Sequence, residues 1–145
     1  MILGLGVDLC DIGRIEQTLE RFGDRFLHRL YTEAERARAA RRPAKRADRL
    51  AQMFAAKEAC SKALGTGFRQ GVFWRDMEVR PLASGKPTLM LHGGARTRML
   101  TLTPEGYAPL VDVSLTDESG LAQATVILSA VPLSERAAFE QVRAL

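Results

Sequence analysis

The segment Phe54-Ala-Ala-Lys-Glu-Ala-Cys-Ser-Lys-Ala-Leu-Gly65 decides the fold, because its composition is typical of one continuous helix. Alanine is the strongest helix former, and glycine commonly follows the last helical turn. The four-residue spacing places Glu58 and Lys62 on one face of this helix, with Lys57 and Ser61 beside them. The segment therefore predicts a central helix that carries a carboxylate and an ammonium group side by side.

An exposed Glu–Lys pair on a helix is ordinary and contributes only about 0.3–0.5 kcal/mol. The pair becomes a candidate site because Asp8 follows the apolar, glycine-flanked segment Ile2-Leu-Gly-Leu-Gly-Val7. A buried carboxylate needs a hydrogen-bonded, cationic or metal partner to remain ionised. A helix N-cap or a strand-end aspartate is the plainer interpretation of Asp8. Alternatively, Asp8, Glu58 and Lys62 together can hold a divalent metal and a phosphate.

The hydrophobic pattern predicts an α+β fold, because strands and helices are segregated along the chain. We expect a small antiparallel sheet packed against a long central helix and shorter helices. The expected strands are a buried strand 2–7 with Asp8 at or near its C-terminal end, 74–81, 87–92, 109–116 and 121–128. The expected helices are 11–22 with Asp11 as N-cap, one or two turns in 24–30, 32–41 with a capping box at Thr32 and Glu35, 43–64, 93–102 and 134–145.

Length and charge narrow the class of protein. The 145 residues are 46% hydrophobic, which is enough for a single domain with a real core. The net charge of +4 favours an anionic partner: a phosphorylated ligand, an acidic protein or a nucleic acid. The basic cluster Arg41–Arg49 fits either phosphate recognition or a solvated surface. It lacks interleaved aromatic residues, and the chain has no nucleic-acid-binding motif, so nucleic acid is the least favoured partner.

The two cysteines, Cys10 and Cys60, lie in apolar segments and are expected to be buried free thiols. The Cys and His spacings do not match a structural zinc site. The sequence shows neither a signal-peptide pattern nor a run of about eighteen apolar residues. These observations predict a soluble, cytoplasmic protein that does not insert into a membrane.

Five motifs in this order and spacing resemble the holo-acyl-carrier-protein synthase family of 4′-phosphopantetheinyl transferases: Gly4-Leu-Gly-Val-Asp8, Phe54-Ala-Ala-Lys-Glu58, Ser61-Lys62, Gly65-Thr-Gly67 and Gly85-Lys-Pro87. The resemblance runs from residue 1 to about 129. It predicts a phosphopantetheinyl transferase domain over 1–129. Residues 130–145 are then a C-terminal extension, expected to be a helix packed on the same domain.

The resemblance implies a magnesium-dependent transfer of 4′-phosphopantetheine from coenzyme A to a serine of an apo acyl carrier protein, releasing adenosine 3′,5′-bisphosphate. By position, Asp8 and Glu58 match the family's metal ligands, and Lys62 matches the lysine that contacts the coenzyme A phosphates. These three residues are the implied catalytic group. Gly65, Lys86 and Pro87 are implied to complete the coenzyme A site.

The resemblance also implies partners. Arg14, Arg21 and Phe22 lie on the first helix at positions similar to those that bind the acidic carrier protein. The family is typically a homotrimer with active sites at subunit interfaces, so Lys86 and Pro87 are expected to complete the pocket of a neighbouring copy.

Two positions depart from the family pattern. Met53 stands where an arginine is common before the Phe54 motif, and Asp112 stands where a histidine is common in an H-x-S or H-x-T strand. The upstream basic cluster can compensate for the missing arginine. If the departures are severe, the alternative is a catalytically impaired homologue that still binds carrier proteins.

Overall fold

The longest helix, α4 (Arg46–Leu64), forms the centre of the structure. The computed structural model describes all 145 residues. Helix α4 ends where Gly65 adopts a left-handed conformation with φ of 74°, and the Gly65 N–H donates to the Lys62 carbonyl. This confirms the predicted end of the central helix. Its predicted start lies slightly early, because Pro43–Lys45 form a separate 3₁₀ turn.

The other helices are short and surround α4. Asp11 caps the first of them, since its Oδ1 accepts from the Gly13 N–H at 2.8 Å. Thr32 and Glu35 form the predicted capping box at the start of the third. The helices are α1 (Ile12–Phe22), α2 (Asp24–Leu30), α3 (Glu33–Ala40), α5 (Gly93–Leu102) and α6 (Arg136–Ala144), with further 3₁₀ turns at Trp74–Asp76 and Leu133–Glu135. No helix has the length and apolar character needed to cross a membrane.

The strands form two antiparallel sheets. A three-stranded sheet has the order β1-β5-β4, and a separate hairpin pairs β2 with β3. Strand β4 extends beyond its predicted bounds at both ends. Strand β5 begins where predicted but continues to Pro132 before the C-terminal helix. The strands are β1 (Ile2–Asp11), β2 (Met77–Pro81), β3 (Pro87–Leu91), β4 (Tyr107–Glu118) and β5 (Leu121–Pro132).

Strand β1 differs from the sequence prediction in length and burial. It continues past Val7 to Asp11, so Asp8 lies within the strand. It is also an edge strand, and Leu5, Val7 and Leu9 are 60%, 44% and 61% exposed. The prediction of a buried strand was wrong because an antiparallel sheet packs only one face on the core. Hydrophobicity alone did not reveal that the other face is open.

Two glycines bring β1 directly against α4. A Cβ atom on Gly6 would overlap the Ala59 carbonyl oxygen, and one on Gly4 would overlap the Ala63 carbonyl oxygen. Ala59 is fully buried and Ala63 nearly so. The absence of side chains on the strand and the small side chains on the helix therefore allow backbone contact between them. Asp8 follows on the same face of β1 as the two glycines.

A buried ion pair joins α4 to α3. The Lys57 Nζ donates to Glu35 Oε1 at 2.8 Å, and both side chains are completely excluded from solvent. The same ammonium group donates to the carbonyl oxygens of Trp74 at 3.0 Å and Met77 at 2.6 Å. All three of its protons are thus used. Burial lowers the pKa of Lys57, and the negative charge of Glu35 acts in the opposite direction.

Glu35 also binds the backbone of two other segments. Its Oε1 accepts from the Thr32 N–H at 2.9 Å, and its Oε2 accepts from the Val79 N–H at 3.0 Å in β2. The carboxylate therefore ties the start of α3, the middle of α4 and the hairpin together. Buried charges are tolerated only when paired and hydrogen-bonded in this way.

We expect Glu35→Gln to lower the free energy of unfolding by about 3–5 kcal/mol, because it leaves the buried Lys57 ammonium without a counter-charge. Urea denaturation would measure the loss. Glu33→Gln is the matched control, since Glu33 is exposed in the same first turn of α3. Its effect should stay within about 0.5 kcal/mol. Equal effects of the two substitutions would refute the special role of the buried pair.

Candidate functional site

The structure brings Asp8, Glu58 and Lys62 together where β1 meets α4. The Lys62 Nζ donates to Asp8 Oδ1 at 3.0 Å and to the Val7 carbonyl oxygen at 3.0 Å. The Asp8 side chain is 15% exposed, whereas that of Lys62 is 53% exposed. Residues 54 positions apart in the sequence thus share one partly open site. The close packing of Gly4 and Gly6 on α4 explains why Asp8 reaches this position.

The electrostatics of Glu58 indicate a site that favours a cation. Burial raises the pKa of Glu58, and the negative charge of Asp8 raises it further. Lys62 acts in the opposite direction. A buried carboxylate whose ionisation is further disfavoured by a neighbouring negative charge is stabilised by additional positive charge. Lys62 supplies part of it, and a divalent cation would supply more.

The donor set fits magnesium. Asp8 and Glu58 offer hard carboxylate oxygens, and no group of three or more His, Cys, Asp or Glu residues is placed to hold a metal. Magnesium often binds through one or two carboxylates, retains several waters, and takes further oxygens from substrate phosphates. The protein can therefore supply part of a magnesium coordination sphere at this site.

A second feature is an arginine-rich cavity of about 500 Å³. No acidic side chain lines it, so the cavity is strongly positive. Arg38 and Arg49 are fixed by hydrogen bonds: Arg38 donates to the Val79 carbonyl, and Arg49 Nη1 donates to the Arg38 carbonyl at 2.9 Å. Its lining comprises Arg38, Arg41, Arg42, Arg49, Gln52, Met53, Val79, Arg80, Pro81, Gly85, Pro87 and Leu115.

This cavity divides the basic cluster predicted from the sequence. Arg41, Arg42 and Arg49 line it, whereas Lys45 pairs with Asp48 at 3.2 Å on the surface. Met53 is 7% exposed and forms part of the wall. The neighbouring arginines thus place several positive charges around Met53, the position at which the resemblance leads us to expect an arginine.

The structure does not bring every predicted coenzyme A residue to the Asp8 site. Gly65 follows Lys62 as the C-cap of α4. Lys86 and Pro87 lie on the turn between β2 and β3 and line cavities that contain none of Asp8, Glu58 or Lys62. Within one chain, the predicted residues therefore fall into two groups.

Asp112 lies beside Lys86 and is already paired. The Arg143 Nε donates to Asp112 Oδ1 at 2.9 Å, and Arg143 also donates to the Val111 carbonyl. Asp112 could be singled out from the sequence but its partner could not, because Arg143 lies 31 positions away in the terminal helix. Arg80 was missed for the same reason, since only the fold places β2 beside the predicted cluster. Arg38 lies only three positions before Arg41, so its proximity in the sequence could have included it.

The exposed face of α1 carries the predicted carrier-binding residues. Arg14 and Arg21 are exposed seven positions apart, which places them on one helical face. Phe22 is 48% exposed, with the Arg21 guanidinium 5.0 Å from its ring centroid. An adjoining groove of about 400 Å³ extends this surface with further arginine and aromatic residues: Thr18, Phe22, Arg25, Phe26, Arg29, Leu30, Phe54 and Trp74. The surface suits a partner with acidic and apolar groups.

Both cysteines are buried and unpaired, as predicted. Burial raises the pKa of Cys10 to about 11 and that of Cys60 to about 12. Thiols with such pKa values hardly ionise at neutral pH, so they are structural rather than nucleophilic.

Comparisons with known proteins identify the family of this chain. The model of the 4′-phosphopantetheinyl transferase superfamily matches residues 4–116. A holo-[acyl-carrier-protein] synthase of Methylobacterium nodulans is 62% identical over 132 residues, covering 91% of this chain and 99% of that protein. One from Rhodopseudomonas palustris is 58% identical over 135 residues, covering 91% and 92% of the two chains.

Solved structures show the same fold. The holo-[acyl-carrier-protein] synthase of Neisseria meningitidis superposes with a TM-score of 0.76 at 33% identity, covering 89% of this chain and 99% of that chain. The Helicobacter pylori enzyme, solved in complex with coenzyme A, gives a TM-score of 0.73 at 27% identity, with 86% and 99% covered.

Proposed function

The chain belongs to the 4′-phosphopantetheinyl transferase superfamily, within the holo-acyl-carrier-protein synthases, and we propose that Asp8, Glu58 and Lys62 form its active site. The chain transfers 4′-phosphopantetheine from coenzyme A to a serine of an apo acyl carrier protein, releasing adenosine 3′,5′-bisphosphate. The observation that carries the proposed site is the 3.0 Å contact between Lys62 and Asp8, with Glu58 in the same electrostatic cluster.

The reaction depends on stabilising the negative charge of the transition state more than on covalent catalysis. The carrier serine oxygen forms a bond to the pantetheine-side phosphorus of the coenzyme A pyrophosphate, while the bond from that phosphorus to the bridging oxygen breaks. We propose that Lys62 stabilises the negative charge that develops on the phosphate oxygens. The serine proton passes to water or to a carboxylate such as Glu58.

We propose Asp8 and Glu58 as the magnesium ligands. Their hard oxygens and mutual repulsion support the assignment. A magnesium ion bound there would neutralise charge on the pyrophosphate and orient it. Asp8 and Glu58 would hold the ion in place, and the Lys62 side chain, which is 53% exposed and pairs with Asp8, would lie beside a phosphate bound there.

We propose that the arginine-rich cavity binds the phosphates of coenzyme A. Arg41 and Arg42 are exposed at its rim and have no hydrogen-bonded or ionic side-chain partner, so they are available to an anion. Arginine forks match phosphate geometry in a bidentate manner. This charge would compensate for Met53, and it favours an active enzyme over a catalytically impaired carrier-binding homologue.

We further propose a homotrimer. The outer face of the β1-β5-β4 sheet exposes Leu5, Val7 and Leu9, and β5 adds Ile127 in register with Leu5. An exposed apolar face of this kind is typical of an interface. In the trimer, Lys86 and Pro87 of one copy would complete the site of a neighbour.

We propose a cytoplasmic location, because both cysteines are unpaired and disulfides are rare in the reducing cytosol.

The active-site proposal predicts that Asp8→Asn and Glu58→Gln each reduce phosphopantetheine transfer about 100- to 1,000-fold, the scale of losing one electrostatic contact to the transition state. Mass spectrometry of an apo carrier protein incubated with coenzyme A and magnesium would measure the adduct. Both variants should keep the native circular dichroism spectrum, because Glu58 is an unfavourable charge in the folded state and Asp8 loses only an ion pair to the half-exposed Lys62.

Glu105→Gln, at an exposed position between α5 and β4, is the control for the active-site variants and should retain full activity. Full turnover by both Asp8→Asn and Glu58→Gln would reject the metal assignment. A wild-type chain that binds carrier protein but transfers nothing at saturating magnesium and coenzyme A would establish the impaired homologue instead.

The α1 surface predicts carrier recognition. Arg14→Ala and Arg21→Ala should each raise the KM for the apo carrier protein roughly two- to fivefold, as expected for exposed charge pairs, with kcat unchanged. The effect should shrink at high salt. Arg96→Ala removes an equal charge from the exposed surface of α5 and should leave the KM unchanged. If neither α1 substitution changes the KM for the apo carrier protein, the docking surface lies elsewhere.

The trimer predicts that the double variant Leu5→Asp/Leu9→Asp sediments as a monomer, while the unmodified chain sediments as three copies in analytical ultracentrifugation. Aspartate is costly at an apolar interface unless it is paired. Leu100→Asp is the matched control, because Leu100 is 50% exposed on α5 rather than on β1. A monomeric unmodified chain would contradict the trimer.

A further inference from the structure

The C-terminal helix α6 is hydrogen-bonded to the other elements through one of its residues, Arg143. Arg143 donates to Asp112 Oδ1 at 2.9 Å and to the Val111 carbonyl, and its own carbonyl oxygen accepts from Lys86 Nζ at 3.3 Å. These are the only side-chain hydrogen bonds between α6 and other elements. No residue of α6 is buried. The position of its last turn therefore depends on Arg143.

The same contacts fix the turn between β2 and β3. Lys86 is held at its Nζ by the Arg143 carbonyl, and a small cavity of about 180 Å³ separates the turn from α6. Pro87 lines this small cavity on one side and the arginine-rich cavity on the other. Gly85 also lines the arginine-rich cavity. The turn is thus a wall shared by the proposed coenzyme A pocket and the C-terminal helix.

Arg143 also controls a charge beside this wall. The Asp112 side chain is 42% exposed and lies next to Lys86 and Pro87. Asp112 has Arg143 as its only ionic partner. Without that guanidinium group, an unpaired carboxylate would lie behind the Pro87 wall of the arginine-rich cavity, where its negative charge would weaken the attraction of a polyanionic substrate, and it would compete for Lys86. Like charges placed close together at a binding surface weaken association.

We propose that Arg143 is a positioning residue for coenzyme A: it neutralises Asp112 and holds the Gly85–Pro87 turn against the arginine-rich cavity. The inference rests on the proposed coenzyme A pocket. It gives the C-terminal extension a function, because α6 delivers the cation that Asp112 requires. Arg143 acts through Asp112 and Lys86 rather than by touching the reacting atoms.

The test is a double-mutant cycle on the full-length chain, with coenzyme A varied and the apo carrier protein saturating. Arg143→Ala should raise the KM for coenzyme A roughly tenfold, equivalent to about 1.4 kcal/mol, with kcat within twofold. Asp112→Asn alone should leave the KM near that of the unmodified chain. The double variant Arg143→Ala/Asp112→Asn should recover most of the lost affinity, because the unpaired carboxylate is gone.

Arg96→Ala is the charge-matched control and should not change the KM for coenzyme A, and circular dichroism should show all variants folded. An unchanged KM in Arg143→Ala would overturn the inference. A double variant no better than Arg143→Ala would overturn the neutralising role. An unmodified chain that neither binds coenzyme A nor transfers its phosphopantetheine would instead defeat the proposed function, so the two failures are distinguishable.

Discussion

The buried ion pair between Lys57 and Glu35 is the interaction on which the rest of the structure depends. It joins the central helix to α3, and through the carbonyls of Trp74 and Met77 and the N–H of Val79 it joins both to the hairpin. Removing either charge leaves the other buried without a partner, which costs far more than losing a surface pair. The pair therefore fixes the arrangement of three elements that line the arginine-rich cavity.

The helix that carries this pair presents different chemistry on adjacent faces. Lys57 and Ser61 are buried, whereas Glu58 and Lys62 lie toward β1 and solvent. Glycines in β1 allow the strand to approach closely enough for Asp8 to meet Lys62. Lys57, which stabilises the fold, is therefore followed directly by Glu58 of the candidate site. The raised pKa of Glu58 shows that the site is electrostatically unfavourable without added positive charge.

Several features could be predicted because they depend on short-range chemistry. The C-cap at Gly65, the N-cap at Asp11 and the capping box at Thr32 are satisfied by groups within a few residues. The association of Asp8 with Lys62 was predicted from a motif pattern, and the structure places the two in contact. The error on β1 arose because an apolar strand at a sheet edge has the same composition as a buried strand. Its exposed face depends on which strands become its neighbours.

The sequence by itself determined the α+β class, most helix and strand positions, the family and the residues that form the candidate catalytic site. Periodicity, capping and motif spacing depend on residues that are close together in the sequence, so they can be recognised without knowing the fold. Only the tertiary structure decided that Lys57 pairs with Glu35, that Arg80 joins the basic cluster, and that Arg143 neutralises Asp112. The partners in the two ion pairs lie 22 and 31 positions apart, and Arg80 is similarly distant from the basic cluster, so only packing brings these charges within reach of one another.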